Sequence, residues 1–275
     1  MTQSQGRTTV ADIQAALGLP EGALVNQRVP KKLLAERGAP TAADRKLIHE
    51  HVENVQWIAA LKPTNVGIAS FADAVREYLE VSVLSIELRD TDCLSVKAKR
   101  IAELAHRAIP YPVLLVVDDG ANVALSLSHM RRAQDGTANT VLDGAHGWAL
   151  FPATDIPRDE QPATARRQAL AALRVGRQAW ATLWHLYQAW IEVVIAWQAV
   201  PLTGCFNLPT SAESAAATRQ AVHRIGELQQ EIESLRRAAT KERQIAKLAE
   251  ANQAIKLIQR DIDAERAKLG GQPSR

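Results

Sequence analysis

YLEVSVLSIELR, residues 78–89, alternates apolar and polar side chains, the pattern of a strand with one face buried. PVLLVV, residues 112–117, is a continuous apolar run, which fits a central strand covered on both faces. Between them, residues 96–109 carry apolar side chains at helical spacing. Asp118, Asp119 and Gly120 then form a hairpin turn signal, ANVALSLSHM (121–130) alternates again, and Asn139 to Leu150 reads as a further strand. The order strand, helix, strand, strand, strand requires one parallel crossover followed by antiparallel hairpins. The expected class is therefore α+β, a mixed sheet flanked by helices.

On the N-terminal side, residues 1–63 read as a helical segment. A first helix spans about 9–17 and stops near Gly18 and Pro20. Pro30 opens a second that carries Lys31 to Arg37, with Gly38 as its stop. Thr41 and Asp44 start a third through Leu61, with Leu47, Ile48, Val52, Val55, Ile58 and Ala59 on one face. The core domain is expected over 64–200. It closes on a helical stretch beginning near Gln161 that carries Leu170, Leu173, Trp180, Trp184, Trp190 and Trp197.

Beyond a linker over 201–210, with Pro201, Gly204 and Pro209, residues 211–268 show two apolar series. Val222, Ile225, Leu228, Ile232 and Leu235 form the first; Ile245, Leu248, Asn252, Ile255, Ile258 and Ile262 form the second. They are out of phase across RRAATKERQ (236–244), which predicts a coiled-coil helical hairpin with arms about 40 Å long. No Gly or Pro marks the bend, so one long helix with a stammer stays open as the other reading. Residues 269–275 read as a disordered tail.

The chain has 275 residues, is 47% apolar and carries a net charge of +3, with a pI near 8.9. Any attraction to phosphate must then come from local patches. Cys93 and Cys205 are far apart and lack partners at metal-ligand spacing, which suits a reducing cytoplasm. The N-terminus has no apolar signal run. The apolar stretch from Trp180 to Val200 contains His185, Gln188, Glu192 and Gln198, and one central acid alone costs about 2.5–3.5 kcal/mol in a bilayer. No membrane span is expected.

The sheet order brings to mind restriction-type nucleases, which hold Mg²⁺ between an acid and an acidic-x-Lys triplet on neighbouring strands. Asp118 or Asp119, with Glu80 or Glu87, are the candidates. The triplet is absent where it is needed: the strand reads Ser126-Leu127-Ser128, and the acidic-x-Lys of the chain is Asp44-Arg45-Lys46. His49 and His51 lie two apart and point to different faces of a helix. No phosphate loop occurs, and no metal or cofactor is expected.

Charge is concentrated in residues 23–46, where Arg28, Lys31, Lys32, Arg37, Arg45 and Lys46 face only Glu36 and Asp44. Arg28, Lys31 and Lys32 stand near a helix N-terminus, a place that favours an anion. Arg131 and Arg132 follow a strand end.

LVNQRVPKKLLAERGAPTAADRKLI (24–48), VQWIAALKPTNVGI (55–68), AELAHRAIPYPVLLVV (102–117), LSLSHMRRAQ (125–134) and KERQIAKLAEANQAI (241–255) together resemble a bacterial family known only as domain of unknown function 4391. The resemblance covers roughly residues 20–265. Members occur beside a Snf2-type helicase and a DNA methyltransferase in islands resembling restriction-modification or anti-phage systems. The resemblance implies membership of a DNA-targeting assembly and transfers no catalytic residue. Where relatives show a His-Lys-Arg run, this chain has His129-Met130-Arg131-Arg132.

The expected function is a non-catalytic accessory subunit that docks on the helicase or methyltransferase. Arg28, Lys31, Lys32, Arg131 and Arg132 would contact DNA phosphates, and Arg243, Gln244 and Asn252 would face the partner. The alternatives are a degenerate nuclease and a self-associating structural protein.

Overall fold

The computed structural model describes residues 8–89, 94–133, 140–151, 160–242 and 244–270. They form two compact units that divide between Trp197 and Gln198. The first unit is the body. Helix α1 (Val10–Leu17) starts on a Thr9 capping box and stops at Gly18, and Ile13 and Leu17 are its buried residues. Strand β1 (Leu24–Arg28), helices α2 (Lys31–Gly38) and α3 (Ala42–His51) and strand β2 (Val52–Leu61) follow. After the single turn α4 (Pro63–Val66) come a small ribbon, β3 (Phe71–Ala72) with β4 (Glu77–Tyr78), and strand β5 (Val81–Leu88). Helix α5 (Leu94–Ala108) leads to β6 (Val113–Asp118), β7 (Val123–Arg132) and β8 (Thr140–Phe151). Helices α6 (Glu160–Ala172) and α7 (Leu183–Thr203) complete this series.

The main sheet has six strands in the order β1-β2-β5-β6-β7-β8. Strands β5 and β6 are parallel, joined through α5, and β6, β7 and β8 are antiparallel hairpins. This is the mixed α+β architecture that the alternation predicts. On one face Leu84, Ile86, Leu88, Val113, Leu115 and Val117 pack with Leu34, Ile48, Ile101 and Leu104 of α2, α3 and α5. The intervening Leu114 and Val116, also fully buried, point to the opposite face. There the Tyr187 hydroxyl of α7 reaches the backbone of Val113 and Ser128.

Residues 1–63 are not purely helical. The third helix ends at His51, and Val52 to Leu61 is a strand paired with both β1 and β5. Irregularities between Val52 and Asn54 and between Trp57 and Ala59 each set two residues of β2 against one of β5. A bulge of this kind turns the two-residue step of a strand into three. Val52, Val55 and Ile58 are therefore buried at helix-like spacing although the backbone is extended. Strand β1 is a largely exposed edge, with Asn26 at φ 50°, and has no alternation to read.

Gly38 is the stop expected of it and has a second role besides. It is the last residue of α2, and a Cβ there would lie 2.1 Å from the Leu104 carbonyl oxygen. Its lack of a side chain lets α2 pack against α5.

The aromatic segment is also interrupted. Residues 175–177 form a short 3₁₀ turn, so Trp180 precedes α7, donates to the Val175 carbonyl at 2.7 Å and lies under Arg177. Trp190 and Trp197 of α7 donate to the Leu173 and Leu150 carbonyls, each at 2.8 Å, so these rings serve the core. Helix α7 runs through Pro201 and ends at Thr203, followed by Gly204 at φ 76°, so the linker is shorter than expected.

The second unit is a helical arm. Helix α8 (Ala212–Lys241) opens on a Ser211 capping box, and Glu242 is extended after it. Helix α9 (Ile245–Gly270) follows, so Leu269 and Gly270 are helical rather than part of a tail; residues 271–275 lie outside the described residues. Ile225, Leu228 and Ile232 share a buried cluster with Ile258 and Ile262. Two helices about 45 and 39 Å long, separated by three residues, can share that cluster only by folding back on each other. Asn252 and Gln259 are exposed, so the seam is apolar.

Candidate functional site

The basic stretch at residues 28–37 lies across β1 and α2, and its cations have separate roles. The Lys31 ammonium donates to the carbonyls of His49 (3.2 Å) and Val52 (3.0 Å). These carbonyls belong to the C-terminal turn of α3, where the helix dipole is negative. Arg89 also approaches the His49 carbonyl, at 3.5 Å, and Lys97 contacts His51 Nε2 at 3.3 Å. Arg89 is also paired with Glu53. That bond, together with the charges of Arg89, Lys31 and Arg28, holds the Glu53 carboxyl below the usual carboxylate range. Lys31 thus finishes a helix, with two of its three N–H groups directed at these carbonyls.

Lys32 makes a 3.5 Å pair with Glu36 in which both side chains are largely exposed. Such a pair contributes little and is easily exchanged for another anion. Arg28 is exposed at the end of β1, on the rim of a cleft of about 230 Å³ under α2. Arg37 and Tyr111 are on the same rim, and Trp57, Leu84 and Ser82 line the cleft. The Trp57 ring is fixed by its bond to the Ala59 carbonyl at 2.9 Å. Burial raises the Tyr111 phenol, with Glu80 pushing the same way and Arg37 and Lys62 opposing. Ser82 is fully buried, and its hydroxyl has no hydrogen-bond partner among the described residues.

Arg131 and Arg132 are not part of this patch. They lie on β7, four strand positions from β1, about 19 Å across the sheet at roughly 4.8 Å per strand. Arg132 pairs with Glu77 at 3.3 Å, and Arg131 is 3.9 Å from Asp143, which also binds Arg76 at 2.6 Å.

The acidic candidates are divided. Asp119 accepts the Ala121 and Asn122 backbone N–H groups, and Asp118 accepts that of Gly120. Both side chains thus shape the hairpin turn. Glu80 lies beyond the opposite end of β5 and pairs with Lys62 at 3.2 Å. It is not brought to Asp118, because Ser82 and Glu87 alone are separated by about 17 Å of strand. Glu87 is the register neighbour of Asp118. Among the described residues no group of three His, Cys, Asp or Glu side chains is placed to hold a metal ion.

On the arm, Gln244 and Asn252 are exposed, and the Gln244 backbone N–H donates to Glu242 at 2.9 Å. Arg243 and Cys93 lie outside the described residues. Cys205 is an exposed free thiol.

A family model described as Domain of unknown function (DUF4391) matches residues 17–262. The chain belongs to this family. The match starts at the last residue of α1 and ends within α9, so the family includes the cleft, the sheet and both long helices. No curated protein and no solved structure matches the chain. Among the described residues no helix is long and apolar enough to cross a membrane.

Sequence reading missed Trp57, Ser82, Arg37 and Tyr111 as a group. Each is ordinary by itself, and they meet only because β1, β2, β5, α2 and residues 109–111 converge.

Proposed function

We propose that this chain is a non-catalytic accessory subunit of a bacterial anti-phage, restriction-modification-like DNA-targeting complex, acting in the cytoplasm. Helices α8 and α9 dock it to a Snf2-type helicase or a DNA methyltransferase, and Arg28 and Lys32 contact DNA phosphates. The observation that carries this reading is the arm. Its helices of 30 and 26 residues bury a narrow seam and leave Gln244, Asn252 and Leu257 exposed, the last at 53%. Long paired helices with this much free surface suit a docking element.

The test is co-elution of the purified chain with a Snf2-type helicase, using the full chain and a version lacking residues 211–268. The full chain is expected to co-elute and the shortened one to run alone. Retention of the shortened chain overturns the assignment. For DNA, replacing Arg28 and Lys32 with Gln is expected to lower the slope of log affinity against log salt by about two.

The nuclease reading keeps one supporting observation, the adjacency of Glu87 and Asp118 at the same end of β5 and β6. Mg²⁺-dependent cleavage by the assembled complex that disappears in Asp118→Ala would establish it.

A further inference from the structure

Ser82 is the least expected residue of the cleft. Its side chain is on the same face of β5 as Leu84 and Ile86, which pack into the core, yet its hydroxyl is buried without a partner among the described residues. A buried polar group that is left unpaired destabilises a fold, so an orphan hydroxyl lining a cleft marks a place where a ligand supplies the missing bond. The remaining walls define that ligand. Trp57 and Tyr111 offer flat aromatic surface, Leu33 and Leu84 are apolar, and Arg28 and Arg37 put two cations on the rim.

A planar ring stacks on such walls whatever its detailed substitution, and an attached anion finds the arginines. The volume, about 230 Å³, is below the roughly 300–1,000 Å³ typical of drug-sized ligands. It suits one base-sized ring and not a base pair.

We infer that the cleft between α2 and the sheet binds a single nucleotide, with the base against Trp57, an edge of the base hydrogen-bonded to Ser82, and the phosphate between Arg28 and Arg37. The ligand is either a free mononucleotide or an unstacked residue of a single strand; both present the same chemistry. The inference rests on the phosphate role of Arg28 proposed above and adds a base pocket to it.

The experiment uses the full chain, titrated with thymidine 5′-monophosphate, with a six-nucleotide thymidine oligonucleotide and with inorganic phosphate, followed by tryptophan fluorescence and calorimetry. The variants are Ser82→Ala and Arg28→Gln. Ser82→Ala removes no hydrogen bond within the described residues and relieves a buried unpaired hydroxyl, so its thermal midpoint is expected at or above the parent's, while nucleotide affinity falls about tenfold, the loss of one hydrogen bond. Preference for the mononucleotide identifies a free nucleotide as the ligand. A tighter oligonucleotide, again weakened by Ser82→Ala, identifies a strand.

The base pocket is overturned if Ser82→Ala binds as the parent does, if nothing binds at millimolar concentration, or if inorganic phosphate competes as well as the nucleotide. An oligonucleotide that responds to Arg28→Gln and not to Ser82→Ala also overturns it, while leaving the phosphate role of Arg28 intact.

Discussion

In the body, β5 and β6 bury side chains on both faces, and α5 and α7 supply the cover. In the arm, α8 and α9 share five buried side chains, Ile225, Leu228, Ile232, Ile258 and Ile262. The body also answers the backbone groups that its β7 bulge leaves open. Tyr187 answers the β7 bulge between Leu127 and His129: its hydroxyl accepts the Ser128 N–H at 3.0 Å and reaches the Val113 carbonyl at 2.8 Å. Beside the arm's seam a groove of about 380 Å³ opens next to Ile232 and Ile262, lined otherwise by Gln, Glu and Arg side chains. The body is built to hold its own shape. The arm is built with surface to spare.

Leu115→Ala opens a cavity in the sheet centre and is expected to cost about 2–5 kcal/mol. Calorimetry should show the body's transition lowered by roughly 2–4 °C per kcal/mol and the arm's left in place. If both transitions fall together, the two units do not melt separately and the contrast fails.

Ile232→Ala, in the arm, is expected to cost about 2 kcal/mol, the low end for such a change, because the groove already admits water beside it. Helical circular dichroism should report earlier melting of α8 and α9, with the tryptophan signal of the body unchanged.

Tyr187→Phe keeps the ring and removes the hydroxyl, leaving the Ser128 N–H unanswered. A loss of about 1–3 kcal/mol in urea denaturation is expected, with no change in the slope against urea. A neutral result would show that the bulge does not need its partner.

The smallest effect concerns Asp44. Hydrogen bonds from Arg100 and Thr41 lower its carboxyl from the ordinary 3.8 to about 2. A lowered folded-state value stabilises the protein above pH 3.8, and that share is lost as pH falls from about 4 to about 2. Asp44→Asn should flatten this part of the acid-stability profile and leave the arm's profile unchanged.

Strands β5 to β8 and helix α5 are legible in the chain because strand and helical periods are local signals, although β5 is covered on both faces rather than the one that its alternation implied, with Ser82 buried among its apolar neighbours. Strand β2 is not, because two bulges give Val52, Val55 and Ile58 the spacing of a helix. Strand β1 is not, because an exposed edge needs no apolar pattern. The cations of residues 28–37 are visible in the sequence as charge. Their division of labour is not, since Lys31 is claimed by carbonyls at residues 49 and 52 and Arg28 is left on the cleft rim.

The sequence by itself determined the mixed sheet, its single parallel crossover and the long helical character of the C-terminal segment, since each follows from periodicity within one segment; that this segment is two helices sharing one cluster is a tertiary result. Tertiary structure alone decided that Glu80 lies at the far end of the sheet from Asp118, and that Ser82, Trp57, Arg28 and Tyr111 share one cleft. The physical reason is distance along the chain. A side chain's neighbours within an element follow from its backbone geometry, whereas contacts between residues tens of positions apart depend on register, bulges and close approaches such as that of Gly38 to α5.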